Sequence, residues 1–278
     1  MIKLATLGPE GTYSESAALK YIDSCDEYHK VVYFCSIKKT LASIGESCDI
    51  AVLPIENFSE GFVSLVLDHI IDSELSIISE IILPIQFSLV SNIIDVSKID
   101  RLFVQFVAKG QCSEYIDTLS NLDIISTESN IESLNMVVNE SANSAAIVPS
   151  DSFNSEEFNT VIENVNDYKN NQTRFLVLSK GLRAIDINPL LNWKTSLVII
   201  DDNDRSGLLA EILTSFALRE INLTSIISRP TKITFGRYNF LIDINGHFED
   251  VGISEAINEI NHIAKVKIMG SYPAAEIV

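Results

Sequence analysis

The sequence contains few positive charges. Its 278 residues include 20 Lys and Arg against 38 Asp and Glu, which gives a formal net charge of −18 at pH 7. Such a chain repels phosphate backbones and anionic lipid surfaces unless a local basic patch outweighs the overall field. No cluster of Lys and Arg of that kind occurs in the sequence. The composition therefore predicts neither a nucleic-acid partner nor a membrane partner.

Long uninterrupted apolar runs are also missing. The most apolar region, residues 75–94, is broken by Glu80, Pro84 and Gln86. These breaks favour two strands over a membrane span. The apolar N-terminal segment meets Gly8 too early to be a signal peptide, so none is expected.

Cysteine and histidine are scarce and lack the spacing of metal sites. None of the four cysteines forms a C-x-x-C pair, and the four histidines are scattered along the chain. We therefore predict free thiols, a cytoplasmic location, no metal and no cofactor.

The pattern that is present indicates two kinds of fold. Over residues 1–180, short β-branched runs alternate with helical patterns, which is typical of α/β domains with mostly parallel sheets. Residues 181–194 have no clear period and are predicted to form a linker. Residues 195–278 show the order βαββαβ, which predicts a ferredoxin-like domain. A length of 278 residues is consistent with two domains.

The stretch LGPEGTYSE, residues 7–15, joins the first strand to a helix. Its glycines permit a tight turn, and Thr12 and Glu15 fit a capping box. Free amides and the helix dipole could bind a carboxylate or phosphate here, with Gly11, Thr12 and Ser14 as candidates. The stretch is neither a P-loop nor G-x-G-x-x-G. Taken alone, it is more often an ordinary capped helix start.

Two further polar clusters lie at strand ends. Glu56 and Asn57 end the third predicted strand, whereas Thr173 and Arg174 precede the apolar run FLVL. Arg can pair with a carboxylate, and a Thr hydroxyl can supply a proton to a leaving oxygen. The alternatives are a capping Asn, a solvated Glu and an outward-facing Arg at a strand start.

Five ordered motifs together resemble the prephenate dehydratases with a C-terminal ACT regulatory domain. They are LGPEGTYSE at residues 7–15, PIEN at 54–57, NQTRF at 171–175, NLTSIISRP at 222–230 and GSYP at 270–273. The resemblance covers nearly the whole chain. It implies a lyase that dehydrates and decarboxylates prephenate to phenylpyruvate in phenylalanine biosynthesis.

The resemblance also implies an architecture. The catalytic region, residues 1–180, would form two α/β lobes similar to the periplasmic-binding-protein-like fold, with the substrate between them. Lobe 1 would comprise residues 1–79 and 160–180, and lobe 2 residues 80–159. The ferredoxin-like βαββαβ ACT domain would follow the linker.

The resemblance assigns roles to individual residues. Thr173 matches the threonine held essential in the family, and Asn57 and Arg174 join it as catalytic candidates. The residues that it implies for substrate binding are Gly11, Thr12, Ser14, Glu56, Asn171 and Phe175.

The C-terminal domain is expected to bind phenylalanine as an effector and to form a homodimer or tetramer. The residues implied for the effector are Gly207, Leu208, Leu209, Ala210, Ser228, Arg229 and Pro230. Ile227 stands where the family has a glutamate, so a bare dimerisation module is the alternative.

Several positions depart from the family pattern, and most lie in or near the second lobe. These positions are Phe58, Phe62, Phe87, Gln105 and Asn130. Apolar groups replace polar ones at several of them, which would weaken the binding of a dianion. Two alternatives therefore stay open: a lyase that decarboxylates prephenate without aromatising it, and a ligand sensor without full activity.

Overall fold

The computed structural model describes the chain except for residues 121, 140–142, 182–187, 189, 201–204 and 277–278. Part of the expected linker, residues 182–187 and 189, thus lies outside the described residues. In chain order the elements are β1 (Ile2–Leu7), α1 (Tyr13–Asp23), β2 (His29–Phe34), α2 (Ile37–Ser43), β3 (Ile50–Asn57), β4 (Gly61–Phe62), α3 (Ser64–Asp72), β5 (Leu75–Pro84), β6 (Phe87–Ser91), β7 (Arg101–Gln105), α4 (Phe106–Gln111), α5 (Ser113–Thr118), β8 (Asp123–Thr127), α6 (Asn130–Asn139), β9 (Ser144–Pro149), β10 (Thr160–Ile162), β11 (Gln172–Lys180), β12 (Trp193–Ile200), α7 (Leu208–Ala217), β13 (Leu223–Pro230), β14 (Tyr238–Asn245), α8 (Val251–Asn261) and β15 (Lys265–Pro273). Within this described part, no helix combines the length and apolarity that a membrane crossing requires.

The first sheet is mixed. Its order is β2-β1-β3-β11-β5, and the short strand β4 pairs with β3. β1 is parallel to β2 and β3, whereas β11 is antiparallel to both of its neighbours, β3 and β5. The prediction of mostly parallel sheets is therefore wrong here. The chain leaves the first sheet after β5 and returns through β11, so the returning strand runs against its neighbours.

The second sheet has the order β10-β6-β9-β7-β8. β7 is parallel to β8 and β9, whereas β6 is antiparallel to β9 and β10. The strands of the two sheets do not divide the chain at residues 79 and 160, which were the expected limits of the lobes. β5 extends the first sheet to Pro84, and β10 belongs to the second sheet. The sequence pattern indicates strands but does not show which sheet each strand joins.

The third sheet, with α7 and α8, forms the C-terminal unit. Its order is β13-β14-β12-β15, and all of its pairs are antiparallel. Apolar residues of both helices pack against one face of this sheet. The predicted ferredoxin-like order βαββαβ is confirmed.

The C-terminal unit and the first sheet share one hydrophobic core. On one face of the first sheet, α1 packs through Ala17 and Ala18 against Phe175 of β11. The opposite face of that strand, which includes Leu176, is buried together with α2, α3 and the third sheet, including Met269. Sheet-on-sheet burial therefore holds the C-terminal unit on the catalytic strand β11.

Gly270 permits the closest approach between these two sheets. Its φ is +153°, and a Cβ atom at this position would lie 2.0 Å from the carbonyl oxygen of Ile77 in β5. No side chain fits this space, so the glycine of the GSYP motif is required for the contact of β15 with β5.

Candidate active site

Two of the predicted catalytic residues meet across neighbouring strands. Asn57 at the end of β3 is in register with Thr173 near the start of β11. The Asn57 Nδ2 donates a hydrogen bond of 2.7 Å to Thr173 Oγ1. The register between β11 and β3 shifts after Arg174, which marks a β-bulge beside the pair. Pro54 of β3, which has no N–H to donate, lies at this bulge. The bulge allows the PIEN strand to end in a turn next to Thr173.

The amide of Asn57 has a fixed orientation. Its Oδ1 accepts hydrogen bonds from the backbone N–H of Ser59 at 3.0 Å, from Ser59 Oγ at 2.8 Å and from the backbone N–H of Glu60 at 3.0 Å. The Nδ2 group therefore faces Thr173. Since Thr173 Oγ1 accepts this bond, its own hydrogen is free to be donated to a bound molecule. Thr173 itself is 8% exposed, which limits competition from water.

Asn171 extends this polar group towards the second lobe. Its Nδ2 donates to Gln111 Oε1 of α4 at 3.1 Å, and its Oδ1 is buried without a hydrogen-bond partner in the described part of the chain. An unpaired buried oxygen is costly unless a ligand or water satisfies it. Gln111 was not among the predicted site residues, because only the fold brings this helix to Asn171.

The two lobes contact each other beside this group. Tyr13 at the start of α1 forms hydrogen bonds with the backbone of Gln86, and its ring packs edge-on against Phe87 with centroids 5.9 Å apart. Ser16 Oγ lies 3.3 Å from Asp151 Oδ2. Gly11 faces Ile131 of α6, which leaves no room for a Cβ atom at Gly11. The cleft is therefore narrow along the start of α1.

Thr12 caps α1 as predicted, but Glu15 does not complete the capping box, because its carboxylate accepts from Gly11, an amide that was predicted to bind substrate, and not from the N–H of Thr12. Thr12 Oγ1 accepts from the backbone N–H of Glu15 at 3.4 Å, and the Glu15 carboxylate accepts from the backbone N–H of Gly11. The same carboxylate accepts from the hydroxyl of Tyr33. An acidic side chain thus already satisfies the Gly11 amide. Of the other two residues predicted in this turn, Thr12 caps the helix and Ser14 is nearly buried beside Thr6.

Arg174 lies on the opposite face of β11 from Thr173, because side chains alternate along a strand. Its guanidinium forms ion pairs with Glu80 and with Asp243, both at 2.7 Å, and its side chain is 13% exposed. Burial would lower its pKa, but Asp243, Tyr272 and Glu80 raise it above the ordinary value. The structure therefore does not bring Arg174 into the cleft, where the sequence predicted a catalytic role.

Two predicted substrate residues are also placed away from Thr173 Oγ1. Glu56 is the register partner of Arg174 and shares its face of the sheet. Burial raises the pKa of Glu56, although Arg174 opposes that shift. Phe175 is buried in the core against α1, so its ring supports the strand rather than lining an open cleft.

The predicted effector residues fall into two groups. Gly207 has φ +84° and precedes α7, Leu208 is buried, and Leu209 and Ala210 follow on the same helix. Ser228, Arg229 and Pro230 end the edge strand β13. Arg229 is already paired within the chain, since its Nε lies 2.7 Å from Asp68 Oδ1 of α3 and its Nη1 3.2 Å from Ser64 Oγ.

The positions that depart from the family pattern have different environments. Phe58 is 70% exposed and Phe62 is exposed, whereas Phe87 is buried in the core of the second lobe. Gln105 caps α4 by accepting a hydrogen bond of 2.7 Å from the backbone N–H of Val107. Asn130 begins α6, and its buried Oδ1 has no hydrogen-bond partner among the residues that the structure describes, while Ser129 Oγ accepts from the N–H of Glu132.

A cavity of about 740 Å³ lies beside the site but does not contain it. It is lined mainly by α4, α5 and β8, including Phe106, Lys109 and Ile124, and it touches the Asn57 turn through Glu60. The Asn57–Thr173 pair, with its oriented hydrogen bond, lies outside the lining of this cavity. Among the described residues, no group of three or more His, Cys, Asp or Glu could hold a metal ion.

Comparison with known proteins agrees with these motifs. A family model described as prephenate dehydratase matches residues 4–182, and one described as ACT domain matches residues 197–262. The prephenate dehydratase of Methanocaldococcus jannaschii is 34% identical over 269 residues, which cover 95% of this chain and 96% of that protein. That of Bacillus subtilis is 28% identical over 288 residues, which cover 99% and 100%.

Solved structures show the same fold. The prephenate dehydratase of Arthrobacter aurescens in complex with L-Phe has a TM-score of 0.80 at 30% identity, covering 98% of this chain and 90% of that one. The Staphylococcus aureus prephenate dehydratase has a TM-score of 0.82 at 28% identity, covering 98% and 100%. The predicted two-lobed, periplasmic-binding-protein-like region with a following ACT domain is confirmed. By its sequence, its fold and the meeting of its PIEN and TRF motifs, the chain belongs to the prephenate dehydratase family and carries an ACT domain.

Proposed function

We propose that this chain is a lyase that converts prephenate to phenylpyruvate in phenylalanine biosynthesis. The observation that carries the proposal is the hydrogen bond from Asn57 Nδ2 to Thr173 Oγ1, which leaves the hydroxyl hydrogen of Thr173 free for substrate. The family model over residues 4–182 and the relatives of known name support the same reaction.

The reaction needs an oriented proton donor more than a strong acid. The ring hydroxyl takes up one proton and leaves as water, while the bond to the ring carboxylate breaks and carbon dioxide leaves. The electron pair of that bond completes the aromatic ring, which supplies the driving force. In our proposal Thr173 transfers its hydroxyl proton to the leaving hydroxyl, and a proton from solvent then restores the Thr173 hydroxyl.

Substrate binding would use the polar groups that remain available. We retain Ser14 at the positive end of α1 and Asn171 as partners of the substrate, because Asn171 Oδ1 is buried and unpaired in the described part of the chain. Gly11 and Thr12 would act by shaping the turn. Arg174, Glu56 and Phe175 would support β11 from positions outside the cleft.

We further propose that L-Phe regulates the enzyme through the ACT domain. The relative from Arthrobacter aurescens was solved in complex with L-Phe. In this chain, a Cβ atom added at Gly207 would meet no atom of the described residues within 4 Å, and β13 is an edge strand that exposes Ile226. An exposed edge strand favours pairing with a second copy, so we propose a homodimer or tetramer through this domain.

The domain limits are part of the proposal. We place the catalytic region at residues 1–180, the linker at 181–194 and the ACT domain at 195–278, supported by family matches that end at residue 182 and resume at 197. A cytoplasmic location is supported by four free cysteines, of which Cys35 is exposed.

Incubation of the purified chain with prephenate tests the reaction. Mass spectrometry and ultraviolet absorbance should identify phenylpyruvate as the product. A product that has lost carbon dioxide but kept the hydroxyl would instead indicate a decarboxylase that does not aromatise. Tight binding of prephenate without any product would indicate a ligand sensor. Either result would contradict the proposal.

A further inference from the structure

Arg174 joins the catalytic strand to two strands of the ACT sheet. Its Nη1 donates to Asp243 Oδ2 of β14 at 2.7 Å, and its Nη2 donates to the hydroxyl of Tyr272 of β15 at 3.0 Å. Its Nε donates to Glu80 of β5 at 2.7 Å. The guanidinium thus links β11 and β5 of the first sheet to β14 and β15 of the third. A planar group with several donors is well suited to such a bridge.

The contacts on the ACT side close into a ring. Ser196 Oγ of β12 donates to Asp243 Oδ1 at 2.6 Å and also lies 2.6 Å from the Tyr272 hydroxyl. Because Ser196 has a single hydrogen, Tyr272 must donate its own to Ser196 Oγ. Arg174 therefore donates to Tyr272, Tyr272 donates to Ser196, and Ser196 donates to Asp243. Asp243 also accepts directly from Arg174, which closes the ring. Each member of the ring fixes the orientation of the next.

The ring belongs to a buried cluster of charged groups, beside which lies Glu56, whose pKa is raised by burial. Lys194 of β12 lies 2.6 Å from Glu80 Oε1, which also accepts from the backbone N–H of Ala275 at 2.9 Å. Two cations therefore face the two carboxylates of Glu80 and Asp243, and neither carboxylate side chain is more than 3% exposed. Loss of one partner would leave a buried charge unpaired, so the cluster favours one arrangement of the two sheets.

The cluster lies next to the proposed proton donor. Thr173 precedes Arg174 in β11, and its backbone is in register with Asn57 on one side and Leu83 on the other. Asp243 lies on β14, and β14 pairs with β13. On β13, the expected effector residues Ser228 and Arg229 lie opposite Phe240 and Asn239 of β14. A displacement of the ACT sheet would therefore move Arg174, which is the residue next to Thr173.

We propose that Arg174 is a positioning residue that sets the orientation of Thr173 according to the state of the ACT sheet, through the ring with Tyr272, Ser196 and Asp243. The inference rests on the proposed function and specifies how effector binding reaches that same site. Arg174 does not touch the substrate in this account. Its effect depends on the ring being intact.

Two variants of the ACT domain test the ring without changing the catalytic strand. Tyr272→Phe removes the hydroxyl that joins Arg174 to Ser196, and Asp243→Asn removes the charge that faces Arg174 while keeping its shape. Glu259→Gln is the matched control, because Glu259 pairs with Arg219 inside the ACT domain, at 2.6 Å and away from the ring. The measurements are kcat, KM, and the fraction of activity that saturating L-Phe removes.

Both ring variants should lower kcat with a KM within about two-fold of wild type, and the fraction of activity that saturating L-Phe removes should fall about five-fold. Calorimetry should show nearly unchanged L-Phe affinity in the absence of substrate, since the effector residues are intact. The control should keep wild-type values. Wild-type kcat and inhibition in both ring variants would overturn the proposal, and so would a loss of stability with an unchanged response to L-Phe.

Hydrogen exchange separates this proposal from the proposed reaction. If the wild type makes no phenylpyruvate, the proposed function fails, but the ring can still be tested on the same proteins. Backbone amides of residues 172–175 should exchange faster in Tyr272→Phe and Asp243→Asn than in Glu259→Gln. Equal exchange in all three variants would overturn the role of the ring, whatever the outcome of the assay with prephenate.

Discussion

Asn57 and Thr173 are 116 positions apart in the chain, yet their side chains share a hydrogen bond of 2.7 Å. The bond joins the PIEN motif at the end of β3 to the TRF motif at the start of β11. Because Ser59 and Glu60 hold the other end of the Asn57 amide, its direction is set. Thr173 is therefore an acceptor within the protein and a donor towards the cleft.

Asn57→Asp tests the direction of this hydrogen bond. A carboxylate only accepts, so it would take the hydrogen that the native amide leaves free on Thr173. We expect kcat for prephenate to fall about 100-fold, with a smaller change in KM. Steady-state kinetics provide the measurement. Ser59→Ala, which removes one of the bonds to Asn57 Oδ1, should have a much smaller effect, and wild-type kcat in Asn57→Asp would exclude the donor role.

The sequence was sufficient to predict the alternation of elements and the βαββαβ order, and it singled out Asn57 and Thr173, whose side chains the structure brings within hydrogen-bond distance. It could not show which face of β11 holds Arg174, because a strand exposes alternate residues to two environments and the ACT sheet covers one of them. An arginine beside a substrate dianion was therefore a reasonable prediction, but the guanidinium pairs with Asp243 and Glu80 instead.

The sequence predicted that Thr12 caps α1, but it did not predict that the Glu15 carboxylate would occupy the Gly11 amide. Thr12 accepts from the Glu15 N–H as expected, yet the Glu15 carboxylate binds the Gly11 amide that was assigned to substrate instead of the Thr12 amide. Contacts such as Gly11 with Ile131 and Gly270 with Ile77 depend on how the lobes and sheets dock. No local pattern encodes such docking, so these contacts required the structure.

Gly270→Ala should loosen the ACT domain from the first lobe. The added Cβ would lie 2.0 Å from the Ile77 carbonyl oxygen, and the backbone at φ +153° is unfavourable for alanine. We expect a loss of about 1–3 kcal/mol in the free energy of unfolding, visible as a lower Tm in calorimetry. Gly236→Ala is the control, because this glycine also has a positive φ, +89°, but its Cβ would meet no atom of the described residues within 4 Å. Equal Tm values for the two variants would argue against the close approach.

The free energy of unfolding should depend on pH in the acidic range because of Asp68. The hydrogen bond from Arg229 lowers the pKa of Asp68 below its ordinary value. A lowered folded-state pKa gives stability that is present above the unfolded pKa, about 3.9, and is lost as pH falls through the folded value. The Tm difference between wild type and Asp68→Asn should therefore shrink as pH is lowered from 6 towards about 3. A difference that stays constant over this range would contradict the assignment.

Phe58→Ser places a small polar residue at one of the positions that depart from the family pattern. The Phe58 side chain is 70% exposed, so its replacement should change kcat and KM by no more than about two-fold. Kinetics with prephenate check this expectation. A change of about ten-fold or more in KM would mean that Phe58 folds over bound substrate, and that the departures from the family pattern alter recognition.

The central claim is that the Thr173 hydroxyl assists the departure of the ring hydroxyl. The most direct measurement is the initial rate of phenylpyruvate formation from saturating prephenate by wild type, Thr173→Ser and Thr173→Ala. We predict that Thr173→Ala loses about 100-fold or more in kcat, while Thr173→Ser, which keeps a hydroxyl for Asn57, retains a substantial part of the activity. Wild-type kcat in a correctly folded Thr173→Ala would contradict the account.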